Sequence, residues 1–226
     1  MDAIVLVGGQ GTRLRSVVAD RPKPLADVGG LPFLDYLLAK IRGHVARIIL
    51  ATGYLGEQIA ARYKKSCLIS QEERPLGTGG SVCQALKLVR GERFWVFNGD
   101  SYFDLSLEEM SRCRADLVMA CSYVEDVGRY GAVEIVEGRV VAFRERQRGC
   151  GWINGGIYLL HKALFEGCVS GTAFALEEAL IPHLLLSQKD VRAYLSSGSF
   201  LDIGTPDSYR EAPDLLCGGQ EECRRY

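Results

Sequence analysis

Residue types suited to chemistry fall in a few short stretches of this 226-residue chain. The first is Gly8-Gly9-Gln10-Gly11-Thr12-Arg13-Leu14, directly after an apolar, β-branched run over residues 3–7. Glycines there let backbone N–H groups approach an anion closely and adopt positive φ at little cost. The spacing is not that of a dinucleotide-binding turn, since Leu14 stands where another glycine is needed, nor that of a P-loop. Taken alone, the stretch fits a plain glycine-rich turn as well as an anion cradle. Two cations favour the cradle. Arg13 can grip phosphate through two parallel bonds, and Lys23 is held between Pro22 and Pro24. A lysine between prolines sits on a stiff, extended backbone that can aim its charge, although by itself it would pass for a solvated loop residue.

Two carboxylates complete the set. Asp100 closes Asn98-Gly99-Asp100 at the end of an apolar run over residues 94–97. Side chains at the carboxyl ends of parallel strands face the ligand crevice of an open α/β sheet. A carboxylate placed there suits Mg2+, which takes one or two carboxylates together with substrate phosphates. Asn-Gly chemistry equally favours a simple turn aspartate. Asp202 lies among apolar neighbours in Phe200-Leu201-Asp202-Ile203, ahead of Thr205-Pro206. Such a carboxylate needs a partner, a capping role or a metal. Thr205 is the better helix cap, with Pro206 suited to the first helical position.

The elements that must position these groups follow from hydrophobic periodicity. Runs at 3–7, 47–51, 67–70 and 94–97 predict strands. Segments 33–41, 55–63 and 81–89 predict helices between them, the last opened by Gly77-Thr78-Gly79-Gly80. Arg21-Pro22-Lys23-Pro24-Leu25 predicts a loop. This alternation argues for βαβ units around a parallel sheet. After a helix at 105–114 the texture changes to strand-like runs at 116–123, 131–136, 139–143 and 153–160, with Glu137-Gly138 as a two-residue turn signal. A helix at 174–186, a strand at 191–195 and a helix opened by Thr205 follow. No linker or repeat divides the chain, so residues 1–217 are expected to form a single domain and 218–226 a loose tail.

Composition excludes some partners. The 27 Lys plus Arg against 28 Asp plus Glu leave a net charge of −1 and no basic footprint for nucleic acid. No apolar run approaches the ~20 residues of a membrane helix. The eight cysteines have no C-x-x-C spacing, and Met1-Asp2-Ala3-Ile4 does not open a signal peptide. They read as reduced, mostly buried thiols of a cytoplasmic protein.

Taken in order, GGQGTRL, RPKPL, PLGTGG, FNGD, INGGIY and LDIGTP resemble the sugar-1-phosphate nucleotidyltransferases, over residues 1–212. Within that family, FNGDSYFD, WINGGIYLL and LDIGTPDSYR look most like the D-glycero-α-D-manno-heptose 1-phosphate guanylyltransferases, with the mannose-1-phosphate guanylyltransferases next. The resemblance implies an α/β, Rossmann-like nucleotide-diphosphosugar transferase fold, with a mixed central sheet flanked by helices and no C-terminal β-helix. It implies transfer of GMP from GTP to a sugar 1-phosphate, with Mg2+ as cofactor, giving an activated sugar for surface polysaccharide. A homo-oligomer is compatible with it. Carried over residue by residue, Leu6, Gly8, Gly9, Gly11, Thr12, Arg13, Gly77, Thr78, Asn98, Gly99 and Asp100 would surround the nucleotide. Arg13 and Lys23 would neutralise charge around the transfer, and Asp100 and Asp202 would hold Mg2+. Glu72 would meet the base, with Gln71 and Glu73 as alternatives. Gly131, Glu145, Arg146, Asn154 and Gly155 would meet the sugar, and Tyr130 would stack on it or merely pack. Arg146 stands where many relatives carry lysine. A non-catalytic relative should have lost a charged position, yet Arg13, Lys23, Asp100 and Asp202 are all present. A glycosyltransferase would favour a D-x-D motif, whereas Ser101-Tyr102 follows Asp100.

Overall fold

The structure is a computed structural model and describes residues 1–9, 11, 14, 20–144 and 148–218. Its elements in chain order are β1 (Asp2–Leu6), β2 (Asp27–Val28), β3 (Leu31–Pro32), α1 (Phe33–Arg42), β4 (Ile48–Thr52), α2 (Gly56–Tyr63), β5 (Leu68–Gln71), α3 (Gly77–Ala85) and β6 (Arg93–Asn98). These are followed by β7 (Ser101–Phe103), α4 (Leu107–Arg112), β8 (Leu117–Val124), β9 (Ala132–Val136), β10 (Arg139–Arg144), β11 (Gly151–His161), α5 (Ile181–Leu186), β12 (Val191–Ser196), β13 (Phe200–Asp202) and α6 (Pro206–Cys217).

Nine of these strands form one mixed sheet in the order β5-β4-β1-β6-β11-β8-β12-β10-β9. The first four run parallel, and β11 runs antiparallel to both β6 and β8. The continuous apolar run of β1 exists because both faces of the sheet are covered. Ala3 and Val5 pack into a core with Leu34, Leu37 and Leu38 of α1 and Ile59 of α2. Ile4 points the other way, into a core with Val82 of α3 and Leu184 of α5. The buried residues of α1 lie at positions 33, 34, 37, 38 and 41, the helical spacing of one apolar face, with Tyr36 buried beside them. A third core joins β2, α1, β13 and α6 through Val28, Phe33, Leu201 and Ala212. The sheet is therefore the mixed, helix-flanked Rossmann-like sheet that the resemblance implied.

Local signals account for much of this. Glu137 and Gly138 have φ of 51° and 75°, as a two-residue hairpin turn requires, and they join Val136 to Arg139 in register. Thr205 caps α6 in a reciprocal box with Ser208, and Pro206 lies in the first turn. Three expectations need correction. Lys23–Leu25 forms a 3-10 turn inside the proline-rich stretch, because its donors are Leu25 and Ala26, and the prolines are not asked for an N–H. The helix expected at 81–89 lies about four residues earlier, with Gly77 to Gly80 as its first turn and Ala85 as its end. The 174–186 helix opens as a π-helical turn, Leu176–Leu180, before α5. The hairpin of β2 and β3 and the pairing of β7 with β13 have no periodic signal, being two or three residues long. Most of the expected tail, residues 219–226, lies outside the described residues.

Candidate active site

The strand β1 is flanked by β4 and β6, so the chain crosses one way from β1 and later the other. Ligand crevices of open α/β sheets form beyond the carboxyl ends of strands at such a switch point. Gly8 and Gly9 follow β1 there, and Gly99-Asp100 follow β6. Two cavities open at this edge. One, ≈ 350 Å³, is lined by Leu6, Gly8, Gly9, Glu72, Gly77 and Thr78 among others. The second, ≈ 370 Å³, is lined by Ser101, Arg129, Tyr130, Asn154, Asp202 and Gly204 among others. Gly11, Lys23, Asn98 and Asp100 line both. Lys23 Nζ donates to Asp100 Oδ2 at 2.6 Å. The lysine side chain is only 12% exposed, so it is no solvated loop charge. Its aim comes from extended Pro22 and from the turn closed by Leu25 N–H on the Pro22 carbonyl at 2.8 Å.

Four glycines, Gly8, Gly9, Gly11 and Gly77, line the first cavity, so backbone is exposed there. Gly8 lies against Gly53, where an added Cβ would stand 2.8 Å from the Gly8 carbonyl oxygen. Gly77 has φ of +68°. Gly79 and Gly80 have another task, since their N–H groups donate to the Phe174 carbonyl at 2.9 and 3.1 Å, and the Phe174 ring covers Gly79. Glu72 lines the cavity with its carboxylate partly engaged, Oε2 accepting from Leu76 N–H at 2.9 Å and Oε1 from the Ser81 hydroxyl. Gln71 and Glu73 line a separate groove instead. The Thr78 hydroxyl donates to Glu177 Oε2 at 2.9 Å and accepts from Leu176 N–H at 2.8 Å. Gly99 is not in the wall. Its N–H bonds the Leu6 carbonyl at 2.9 Å, and its missing side chain lets the end of β6 close on β1.

Side chains build the second cavity. Asp202 Oδ1 accepts from Arg129 Nη2 and from Gly204 N–H at 2.7 Å, while Oδ2 accepts from the Tyr130 hydroxyl. Burial, and then the Asp202 carboxylate, raise the Tyr130 phenol, which therefore stays a donor. Pairing of β7 with β13 sets Asp202 opposite Ser101, and Ile203 N–H bonds the Asp100 carbonyl at 2.9 Å. That pairing brings two carboxylates 102 residues apart to one cavity. Among the described residues no three His, Cys, Asp or Glu side chains cluster as a complete metal cage. Two carboxylates in one wall, each now holding a cationic side chain, fit a hard cation that fills its shell with phosphate oxygens and water.

Asn154 Nδ2 donates to the Tyr158 hydroxyl at 2.5 Å, and that hydroxyl donates to Glu177 Oε1 at 2.7 Å. Glu177 thus holds Thr78 at the first cavity directly and Asn154 at the second through Tyr158. Two of the expected sugar contacts are not among the residues lining the second cavity. Gly155 is buried, its missing side chain making room for the Phe103 ring. Gly131 donates its N–H to the Val127 carbonyl at 2.9 Å, and its φ of +81° turns the chain into β9. Thr12, Arg13, Glu145 and Arg146 lie outside the described residues. Sequence reasoning missed Arg129, Glu177 and Gly53. Arg129, just before Tyr130-Gly131, was within reach of inspection, whereas Glu177 in Leu176-Glu177-Glu178 looks like an ordinary helix-surface acid.

A family profile described as nucleotidyl transferase matches residues 2–217. The chain belongs to the nucleotidyl transferase family. This nucleotidyl transferase is 38% identical to the D-glycero-alpha-D-manno-heptose 1-phosphate guanylyltransferase of Aneurinibacillus thermoaerophilus, over 96% of this chain and 98% of that one. It is 32% identical to the mannose-1-phosphate guanylyltransferase of Mycobacterium tuberculosis, over 96% of this chain but 65% of that one. The crystal structure of HddC from Yersinia pseudotuberculosis complexed with GMP-PN superposes with a TM-score of 0.83 at 34% identity, covering 95% of this chain and 99% of that one.

Proposed function

We propose that this nucleotidyl transferase moves GMP from GTP to D-glycero-α-D-manno-heptose 1-phosphate, releasing pyrophosphate, with Mg2+ as cofactor. The observation that carries this reading is the pair of cavities sharing one wall at Lys23 and Asp100. Two substrates lying one in each cavity would meet at that wall. Likeness to named heptose 1-phosphate guanylyltransferases, stronger than that to the mannose enzyme, supports the choice of sugar.

In this reaction an oxygen of the sugar phosphate attacks the α-phosphorus of GTP, and the bond to the β-phosphate oxygen breaks. A phosphomonoester has a second pKa of about 6, so the nucleophile is already dianionic at neutral pH and needs no protein base. The barrier is repulsion between anions, and catalysis is positioning with charge neutralisation. Lys23 leaves Asp100 to take phosphate oxygens at the shared wall. Asp100 and Asp202 would hold Mg2+, which would supply neutralisation of phosphate charge. Asn154, held by Tyr158, orients the sugar. Each oxygen of Glu72 accepts one bond and keeps a lone pair, so the carboxylate can accept from N1–H and N2–H of guanine. Adenine lacks that pair of donors, and the wrong base would strand a desolvated carboxylate. Free thiols throughout the described residues, with burial pushing Cys121 up to about 12, suit a cytoplasmic enzyme.

The test is pyrophosphate release in a matrix of GTP, ATP, UTP, CTP and dTTP against heptose 1-phosphate and mannose 1-phosphate. GTP with the heptose phosphate should be fastest. Preference for a pyrimidine triphosphate refutes the base argument. Preference for mannose 1-phosphate leaves the reaction class standing and overturns the sugar.

A further inference from the structure

We propose that Arg129 is the resident counter-cation of Asp202 and becomes the ligand of the sugar phosphate once a divalent cation takes that carboxylate. The inference rests on the reaction proposed above.

Both lone pairs of Asp202 Oδ1 are occupied, one by Arg129 Nη2 and one by Gly204 N–H, while Oδ2 accepts from Tyr130. A cation bound to this oxygen must displace a donor or share the carboxylate with a positive charge. Gly204 N–H is backbone. Tyr130 is braced edge-on against Phe200, their ring centroids 5.7 Å apart. Arg129 is the movable donor, a long side chain 30% exposed in the cavity wall. Two positive charges on one carboxylate repel, so a bound divalent ion weakens the arginine's hold.

The seat of this ion pair is shaped for it. A Cβ at Gly204 would collide with Asp202 Oδ1 and stand 3.0 Å from Arg129 Nη2. Once displaced, the guanidinium remains over the Tyr130 ring, 5.0 Å from its centroid, and beside Ser208 Oγ, now at 3.1 Å. It therefore stays at the cavity where the sugar phosphate must lie, and a guanidinium can grip phosphate bidentately. Charge balance agrees. Lys23 and Arg129 offset Asp100 and Asp202, so one divalent ion leaves the cavity with two positive charges to meet a dianionic phosphate. Only hydrogen bonds and ion contacts are exchanged.

The experiment reads free Mn2+ by electron paramagnetic resonance during titration of the nucleotide-free protein, beside KM values for both substrates. Arg129→Met should bind Mn2+ several-fold more tightly, yet raise the KM for the sugar 1-phosphate about tenfold or more while the KM for GTP stays near wild type. A residue that merely supports the fold would weaken both. Unchanged or weaker Mn2+ binding by a variant that melts like wild type overturns the counter-cation role. An unchanged sugar phosphate KM overturns the ligand role. If Arg129→Met does not fold, Arg129→Lys decides. It keeps the charge and loses the fork, so Mn2+ binding should stay near wild type while the sugar phosphate KM rises, and an unchanged KM overturns the proposal. The Mn2+ titration needs no turnover, so wild-type protein inactive on GTP would refute the reaction separately from the ion exchange.

Discussion

On the side of Lys23 proposed for the nucleotide, the wall exposes backbone at Gly8, Gly9, Gly11 and Gly77, with Gly53 behind. Of the polar side chains there, Glu72 and Ser81 are bonded within their own segment, while Thr78 is bonded to Glu177. On the side proposed for the sugar, the wall carries the side chains of Arg129, Tyr130, Asn154 and Asp202, drawn from three separate segments. A backbone cradle suits what all nucleoside triphosphates share, their phosphates, because N–H groups are available at any position a glycine clears. Discrimination among sugars requires placed side-chain donors and acceptors. The difference predicts that damage to one cavity will be read in the KM of one substrate, and damage to the common wall in turnover itself.

The largest effect is expected at that wall. Lys23→Ala and Asp100→Asn should each lower kcat by about 10²–10³ at saturating substrates and Mg2+. Loss of Lys23 leaves an Asp100 that is already 42% exposed and can hydrate, so thermal stability should barely move. Lys23→Arg should rescue only in part, since a planar fork does not replace a point charge. Pyrophosphate release and a melting curve check both. Near-wild-type turnover in Lys23→Ala would mean that the shared wall is not where transfer occurs.

The same contrast explains what could be read in advance. The parallel half was legible because β1, β4 and β6 carry continuous apolar runs and glycines cluster at 8–11 and 77–80. Asp100 was legible because it ends such a run. Asp202 was noticed only as a carboxylate with apolar neighbours, and its partners Arg129 and Tyr130 lie more than seventy residues away. The β7–β13 pairing that joins the two carboxylates is three residues long, too short for periodicity to register. Gly155 shows the opposite case. The resemblance makes it a sugar contact, but its missing side chain makes room for Phe103. Composition and spacing say that a backbone is closely approached, and not by what.

A middle-sized effect should show how independent the two cavities are. Tyr158→Phe removes the hydroxyl that holds Asn154 but leaves Thr78 bonded to Glu177. The sugar phosphate KM should rise about tenfold with little change for GTP. Glu177→Gln disturbs both anchors and should raise both KM values. Equal effects of Tyr158→Phe on the two substrates would show that the cavities respond as one unit.

A smaller, opposite effect is expected at Gly53. Its Cβ would lie 2.8 Å from the Gly8 oxygen, so Gly53→Ala must push β4 and the Gly8 loop apart. Overpacking of this kind costs about 1–3 kcal/mol of stability. The KM for GTP should rise a few-fold and that for the sugar phosphate should not. Initial rates with each substrate varied in turn decide it, and a shift confined to the sugar would reverse the assignment of the two cavities.

The least effect on turnover should come from the far end of β1. Asp2 is 2% exposed and bonded to Arg47 and to Arg90 N–H, remote from both cavities. Burial alone would raise its pKa, but the hydrogen bonds and charge of Arg47, with the Arg90 amide, outweigh it and hold the carboxyl below its usual range. A depressed folded pKa means stability that is present above the unfolded value of about 3.9 and lost as pH falls through the folded one. Asp2→Asn should therefore cost about 3 kcal/mol at neutral pH and leave the kcat of the folded protein unchanged. Urea unfolding of wild type and variant should show the gap closing as pH drops below about 4. A gap that persists there would assign the loss to packing, and a fall in kcat would show that the two ends of β1 are coupled.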